Sequence, residues 1–244
     1  MNNNKSSLQQ NLKENPSQDR IKEYILDKNN PVNFYEPILF EQKQISGFNV
    51  KPRIDNVDIS NIEITDRSLL VLELRVLIDA IEKIKAHPSN IFNVFIPLSR
   101  SSLLNSYFVE AVNNLSESKA TLNRVVVSVD KGVYINKRPR INASLQMLKE
   151  KGFKFLFRNV SNELSFHSFN HEYDWICVDV TSMSKNYIVP IISLLNKTGS
   201  KIIAVREGGT LSDIDLDNHV FKYISGQSVG EAHKIPISKK WEIM

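Results

Sequence analysis

A repeated order of helix, glycine, short apolar strand and polar end limits the possible folds of this chain more than any other feature. In its clearest copy, residues 141–150 space their apolar side chains for a helix, and Gly152 stands where a left-handed residue would end that helix. Residues 153–157 then predict a brief apolar strand. In a parallel α/β barrel the functional site is built where such strands end, so this pattern directs attention to Arg158 and Asn159.

The rest of the chain repeats this alternation after a different beginning. Residues 34–40 and 45–51 predict two strands whose short connection makes them antiparallel neighbours. A helix capped by Asp66, with its apolar residues on one face, is predicted to end before His87. Further strands are predicted at residues 92–98, 124–129, 175–179, 201–205 and 221–224, and further helices at 103–115, 187–195 and, weakly, 211–216.

About seven strands separated mainly by helices indicate an α/β fold with a parallel sheet wound by right-handed crossovers. A closed barrel and an open doubly wound sheet both fit this order. No glycine-rich phosphate loop follows the first strands, however, and this absence favours the barrel.

Composition predicts one folded domain. The chain has 244 residues, of which 41% are hydrophobic and 24% charged, as is ordinary for a globular protein. No run reaches the ~18 consecutive apolar residues of a membrane span, and the N-terminus lacks the apolar core of a secretory signal, so we expect a cytoplasmic protein. Residues 1–31 are predicted to be a polar, largely disordered tail and residues 32–244 the folded domain, because residues 1–19 are almost free of apolar side chains.

Charge and cysteine content argue against several classes of protein. The net charge is only +4, and we interpret the one dense basic run, residues 137–140, as a solvated loop and not as a nucleic-acid surface. We therefore expect neither a direct nucleic-acid partner nor a membrane partner. Cys177 is the single cysteine, and no Cys/His spacing resembles a zinc site. Its apolar strand predicts a buried, unreactive thiol.

Several short segments carry a family signal through their order. In the first half of the chain, Tyr35-Glu36-Pro37-Ile38 is similar to "YQPI", Gly47-Phe48 is similar to the start of "GYEALLR", and Pro97-Leu98-Ser99 is similar to the end of "VNLS". In the second half, residues 148–152 are similar to the start of "LRxxGxxLALDDFG", and residues 174–179 are similar to "DYLKID". Near the end, Glu207-Gly208 is similar to part of "AEGVE", and Gly226 with Gly230 is similar to "QGYxFG". From residue 34 to residue 232 the chain thus resembles the EAL-domain family of cyclic di-GMP phosphodiesterases. The resemblance implies a modified TIM-like (β/α) barrel with one antiparallel strand near its start.

The chain departs from that family at the positions that carry its chemistry. The family's metal-holding positions fall on Asn49, Pro97, Ser128, Arg158 and Asn159, a further family glutamate falls on Lys131, and the family lysine falls on Cys177. Asp179 and Glu207 keep family acids, and Arg53 matches an arginine that resembles a phosphate contact. The resemblance thus implies a degenerate member with no catalytic residue, metal or cofactor.

Elementary chemistry supports the same expectation. Mg²⁺ requires several converging oxygen ligands, preferably carboxylates, and Pro97 offers no side-chain oxygen. A cation about 4 Å from Arg158 would be repelled by roughly 4 kcal/mol at an effective dielectric constant of 20. We interpret Asp179 and Glu207 as members of structural ion pairs, Asp179 beside Arg158, in preference to ligands.

Two functions remain open, and a third is disfavoured. The resemblance implies a non-catalytic regulator of motility, adhesion or virulence gene expression that binds a protein such as a transcription regulator, as a standalone anti-flagellar relative does. The alternative is a metal-free cyclic di-GMP sensor whose phosphates contact Arg53, Lys131 and Arg158, since arginine suits oxyanions. For Arg53, a phosphate contact and a salt bridge are both open. A hydrolase with relocated ligands is disfavoured, as is catalysis by His167 or His171, which have no acid or nucleophile at readable spacing.

Overall fold

The computed structural model describes residues 32–41, 44–54, 57–58, 65–88, 92–129, 139–160, 173–181, 185–206, 221–226, 229–230 and 232. The predicted tail, residues 1–31, and the weak helix predicted at residues 211–216 lie outside this part of the chain. So do Lys131, His167, His171 and Glu207.

The described residues form nine strands and six α-helices. The strands are β1 (Val32–Phe40), β2 (Gln44–Ile54), β3 (Val57–Asp58), β4 (Asn93–Pro97), β5 (Val125–Val129), β6 (Lys154–Val160), β7 (Trp175–Asp179), β8 (Lys201–Val205) and β9 (Tyr223–Ser225). The helices are α1 (Asp66–Ala86), α2 (Arg100–Leu104), α3 (Ser106–Asn113), α4 (Lys119–Leu122), α5 (Pro139–Lys151) and α6 (Lys185–Leu195), the last followed by a 3₁₀ turn (Asn196–Thr198). None of these helices is both long and apolar enough to cross a membrane.

Eight of the strands close into a barrel. Their order around the ring is β1-β9-β8-β7-β6-β5-β4-β2, and β1 returns to pair with β2, while the two-residue β3 extends β2 outside the ring. β1 is antiparallel to both of its neighbours, and the other contacts around the ring are parallel. The predicted modified (β/α) barrel with one antiparallel strand near its start is therefore confirmed.

Alternation along the strands divides the core into two layers. The rings of Phe95 in β4 and Trp175 in β7 meet with centroids 5.2 Å apart, although these strands are not neighbours, so the two rings must meet inside the barrel. The buried residues of this inner layer are Ile38, Phe95, Val126, Leu156, Trp175, Cys177 and Ile203. Intervening residues such as Val125 and Val127 pack outward in the larger core that includes the helices.

Helix α1 is attached to the antiparallel strand by a carboxylate. Asp79 Oδ2 accepts a hydrogen bond from the Tyr35 hydroxyl at 2.5 Å and another from Asn33 Nδ2 at 2.7 Å. Burial, reinforced by Asp79, raises the pKa of the Tyr35 phenol, which therefore stays protonated as the donor. The prediction that Asp66 caps α1 is wrong by one residue, because Thr65 has extended geometry and its hydroxyl accepts from the Ser68 N–H, leaving Asp66 in the first turn.

Two further helix predictions have different outcomes. Gly152 has φ +108° directly after α5, as predicted for a residue that ends a helix. The single helix predicted at residues 103–115 is instead divided into α2 and α3. Asn105 interrupts it with φ −86° and ψ 117°, because its side-chain oxygen caps α3 by accepting from the backbone N–H groups of Tyr107 and Phe108.

Candidate functional site

The carboxyl ends of the parallel strands surround one opening, which we call the mouth. Two-residue alternation from the inner core places a ring of polar side chains there, formed by Glu36, Asn49, Lys51, Ser128, Arg158, Cys177, Asp179 and Ser225, together with Pro97. The structure thus brings together most of the residues that the sequence analysis predicted at the site. These are Asn49, Pro97, Ser128, Arg158, Cys177 and Asp179. Asn159 lies next to Arg158 in β6.

A partly buried hydrogen-bond network fills one side of the mouth. Asn49 Nδ2 donates to Glu36 Oε2 at 3.2 Å and to Ser225 Oγ at 2.8 Å. The Ser225 hydroxyl has two acceptors, Glu36 Oε2 and the Pro37 carbonyl oxygen, each at 3.3 Å. Lys51 Nζ lies 3.9 Å from the same Glu36 oxygen. The Glu36 carboxylate is therefore already supplied with donors and with a cation.

Charges of both signs surround Cys177 at the centre of the mouth. Burial raises the pKa of the Cys177 thiol to about 11, while Arg158 and Lys51 lower it and Asp179 and Glu36 raise it by smaller amounts. Two cations and two anions thus act on this one atom, and their effects largely oppose each other. The thiol is protonated and buried, as the sequence predicted.

The ion pair predicted between Asp179 and Arg158 is wrong for the described part of the chain. Asp179 is exposed, and its Oδ1 accepts a hydrogen bond from the Thr181 N–H at 2.9 Å. The β6–β7 register also shifts between Phe157 and Val160, the segment that contains Arg158.

Arg53 takes an arrangement that neither alternative anticipated. Its guanidinium carbon lies 4.5 Å from the centroid of the Phe34 ring, a cation–π geometry. Its Nε atom is buried and has no hydrogen-bond partner among the described residues. The aromatic ring therefore holds the guanidinium at the edge of the mouth, where the sequence suggested a phosphate contact or a salt bridge.

The donor groups of the mouth suit a metal poorly. Within the described ranges, no group of three or more His, Cys, Asp or Glu side chains is placed to hold a metal ion. Glu36 and Asp179 are the carboxylates that the described residues bring to the mouth, and Lys51 lies beside the first of them. Asn49, Ser128 and Pro97, which the sequence resemblance aligns with metal-holding positions, supply neutral groups there.

A buried glutamate behind the mouth escaped the sequence analysis. Glu73 of α1 is 5% exposed, and its carboxylate accepts hydrogen bonds from the Ser99 N–H at 2.8 Å and the Ser99 hydroxyl at 3.1 Å, at the junction of β4 and α2. Burial raises the pKa of Glu73 to about 7, although bonds from Ser102 and Ser99 lower it in part. Glu36, Lys51 and Ser225 were also missed. The alternation of β1 could have placed Glu36 on the inner face with Ile38, but the sequence gives no signal for its partners.

Comparison with known proteins places this barrel among solved structures. No family model and no curated protein matches the sequence. The EAL domain of FimX from Pseudomonas aeruginosa bound to c-di-GMP matches with a TM-score of 0.70 and 13% identity, covering 93% of this chain and 100% of that one. This chain has the fold of an EAL domain. The PaMucR phosphodiesterase in complex with c-di-GMP gives a TM-score of 0.68, 14% identity and coverages of 89% and 98%. An EAL-domain protein from Listeria monocytogenes EGD-e matches with a TM-score of 0.68 and 13% identity, covering 90% of this chain and 94% of that one.

These likenesses are likenesses of fold. At 13–14% identity they show a shared fold and carry over no residue's role. The chemistry of this chain therefore depends on the side chains at the mouth of its own barrel.

Proposed function

We propose that this EAL-like protein does not hydrolyse cyclic di-GMP and acts as a regulator by binding another protein, with the expression of motility, adhesion or virulence genes as the process affected. A transcription regulator is the kind of partner proposed. The small number of carboxylates that the described residues bring to the mouth, and the cations beside them, carry the first part of this proposal.

The position of Lys51 is the observation that supports it most directly. Its ammonium nitrogen lies 3.9 Å from the Glu36 carboxylate, so the mouth acid already has a cation as neighbour. A divalent ion placed about 4 Å from an ammonium group would be repelled by roughly 8 kcal/mol at an effective dielectric constant of 20, twice the value for two unit charges. Arg158, which also acts electrostatically on Cys177, adds to that repulsion.

An assay of hydrolysis tests this part. Purified protein with cyclic di-GMP and either Mg²⁺ or Mn²⁺ is expected to release no product above the buffer blank. Turnover that disappears in Asp179→Ala would overturn the proposal, because it would mean that the retained acid still works with a metal. Glu82→Ala, on the exposed side of α1, is a matched control that removes a carboxylate outside the mouth.

Exposed apolar residues on the outside of the barrel support a protein partner. Tyr107 of α3 is 67% exposed and Ile78 of α1 is 47% exposed, and these are the exposed large hydrophobic residues among those described. Tyrosine is enriched among the residues that dominate binding energy at protein interfaces. We expect capture of a partner from the native cell to be weakened by Tyr107→Ala and unaffected by Arg158→Ala. Loss of the partner in Arg158→Ala alone would instead place the binding surface at the mouth.

The second candidate is a metal-free sensor of cyclic di-GMP, favoured by the cations Lys51, Arg53 and Arg158 at the mouth. Two structures of similar fold, the FimX domain and PaMucR, are complexes with c-di-GMP. Two of the three cations, however, have neighbours within the barrel, since Lys51 lies beside Glu36 and Arg53 lies over Phe34. Arg158 is thus the best remaining phosphate contact, and we rank this candidate second.

A further inference from the structure

Glu36 and Asn49 face each other across the first antiparallel pair of the barrel. They are partners in the β1–β2 register, and Ser225 of β9 reaches the same two side chains from the other neighbour of β1. Glu36 is 5% exposed and Ser225 is fully buried. Three residues separated by 13 and 176 positions along the chain thus link the three strands at which the barrel changes direction.

The chemistry of this contact depends on an amide at position 49. The Nδ2 group of Asn49 has two hydrogens, and the structure directs one to Glu36 and the other to Ser225. A carboxylate at position 49 has no hydrogen to donate. A carboxylate oxygen in the place of Asn49 Nδ2 would also lie 3.2 Å from Glu36 Oε2, where two negative charges repel each other.

We propose that Glu36 and Asn49 form an obligatory carboxylate–amide pair, so that position 49 is closed to an acidic residue for as long as Glu36 is present. The motifs quoted above carry the two groups in the opposite order, with glutamine in "YQPI" at the position of Glu36 and glutamate in "GYEALLR" at the position of Asn49. Relative to those motifs, the acid and the amide have exchanged strands, with the acid on β1 and the amide on β2 in this chain. A single change that restores the acid on β2 does not rebuild the family arrangement, because it places two carboxylates together.

Thermal unfolding of four variants tests the pair, and the variants are Asn49→Glu, Glu36→Gln, the double variant and the control Asn142→Glu. At pH 8 we expect Asn49→Glu to lower Tm by about 6 °C or more, and the added Glu36→Gln to restore at least half of that loss. Asn142→Glu adds the same charge on the exposed face of α5 and should change Tm little.

The proposal would be overturned if the double variant lost as much Tm as the two single variants together, or more. Should the variants with glutamate at position 49 fail to fold, Asn49→Leu gives the same comparison without the added charge. Leucine removes both donors, so its cost in Tm should be larger beside Glu36 than beside the Glu36→Gln side chain, and equal costs would also overturn the proposal. These measurements use no ligand and no turnover, so their outcome is independent of the proposed function.

Discussion

The carboxylate of Glu73 accepts both the backbone N–H and the hydroxyl proton of Ser99, and so joins α1 to the junction where β4 leads into α2. This contact buries the Glu73 carboxylate against Ser99, the second residue after Pro97 of the mouth. Burial raises the pKa of Glu73 to about 7, and the hydrogen bonds from Ser102 and Ser99 lower it in part.

The raised pKa of Glu73 predicts stability that falls as pH rises. Between the ordinary pKa of 4.5 and the folded value of about 7, the folded state binds more protons than the unfolded state, so the free energy of unfolding decreases with pH in that window. The shift corresponds to about 3 kcal/mol. Glu73→Gln keeps an acceptor for the Ser99 N–H without a charge, so urea unfolding should show this variant gaining stability relative to the wild type from pH 4.5 to pH 7.

The exposed Glu82→Gln on the same helix serves as the control for Glu73→Gln, and its difference from the wild type should change little with pH. A stability difference between Glu73→Gln and the wild type that is the same at pH 5 and pH 8 would show that the Glu73 carboxyl ionises normally.

Substitution of Gly226 should disrupt the closing edge of the mouth. Gly226 has φ +118°, and a Cβ atom there would lie 2.0 Å from the Arg206 carbonyl oxygen, a backbone atom that cannot rotate away. We expect Gly226→Ala to cost at least about 3 kcal/mol, or on the order of 6–12 °C in Tm. Gly199→Ala is the matched control, because Gly199 has φ +75° but no atom within 4 Å of the added Cβ. It should cost only about 1–2 kcal/mol, and equal costs for the two variants would contradict the steric explanation.

Cys177 should react with thiol reagents only when the protein unfolds. Its pKa of about 11 leaves very little thiolate at pH 8, and its sulfur is buried inside the barrel. A colorimetric disulfide reagent should therefore release its chromophore slowly from native protein and rapidly in concentrated guanidinium chloride. A Ser106→Cys variant adds an exposed thiol that should react quickly in the native state and so checks the reagent. Fast reaction of the wild type would require frequent opening of the barrel.

Calorimetry with cyclic di-GMP in EDTA separates the two candidate functions. We expect no heat of binding at micromolar ligand, because Lys51 and Arg53 already have neighbours within the barrel. A sensor would instead bind without metal, and Arg158→Ala would weaken that binding by ~1.5–3 kcal/mol, the usual loss for a hydrogen bond to a charged group. Arg140→Ala, on the exposed start of α5, is the control for general charge. Binding that is weakened by Arg158→Ala and retained by Arg140→Ala would reverse the ranking of the two functions.

Local patterns were sufficient for the order and type of the main elements. The strand bounds predicted at residues 175–179 and 201–205 match β7 and β8, and the short connection after residue 40 predicted the antiparallel start. These features follow from periodicity and turn chemistry within a few residues. Where a side chain competes with the backbone, the local pattern misleads, as at Asn105, whose cap divides the predicted helix.

The contents of the mouth depend on contacts that no local pattern contains. The sequence by itself determined the order of the strands and helices, and it predicts which strand-end positions lack the family's acids, because each of those features can be read from neighbours along the chain. Only the tertiary structure decided that Glu36 meets Asn49 and Ser225, which lie 13 and 189 positions away, because closure of the barrel and the register of β1 bring them together. It also decided that Asp179 bonds to the Thr181 N–H instead of Arg158 and that Glu73 is buried, since the positions of side chains on separate strands and the packing of a helix are properties of the whole fold.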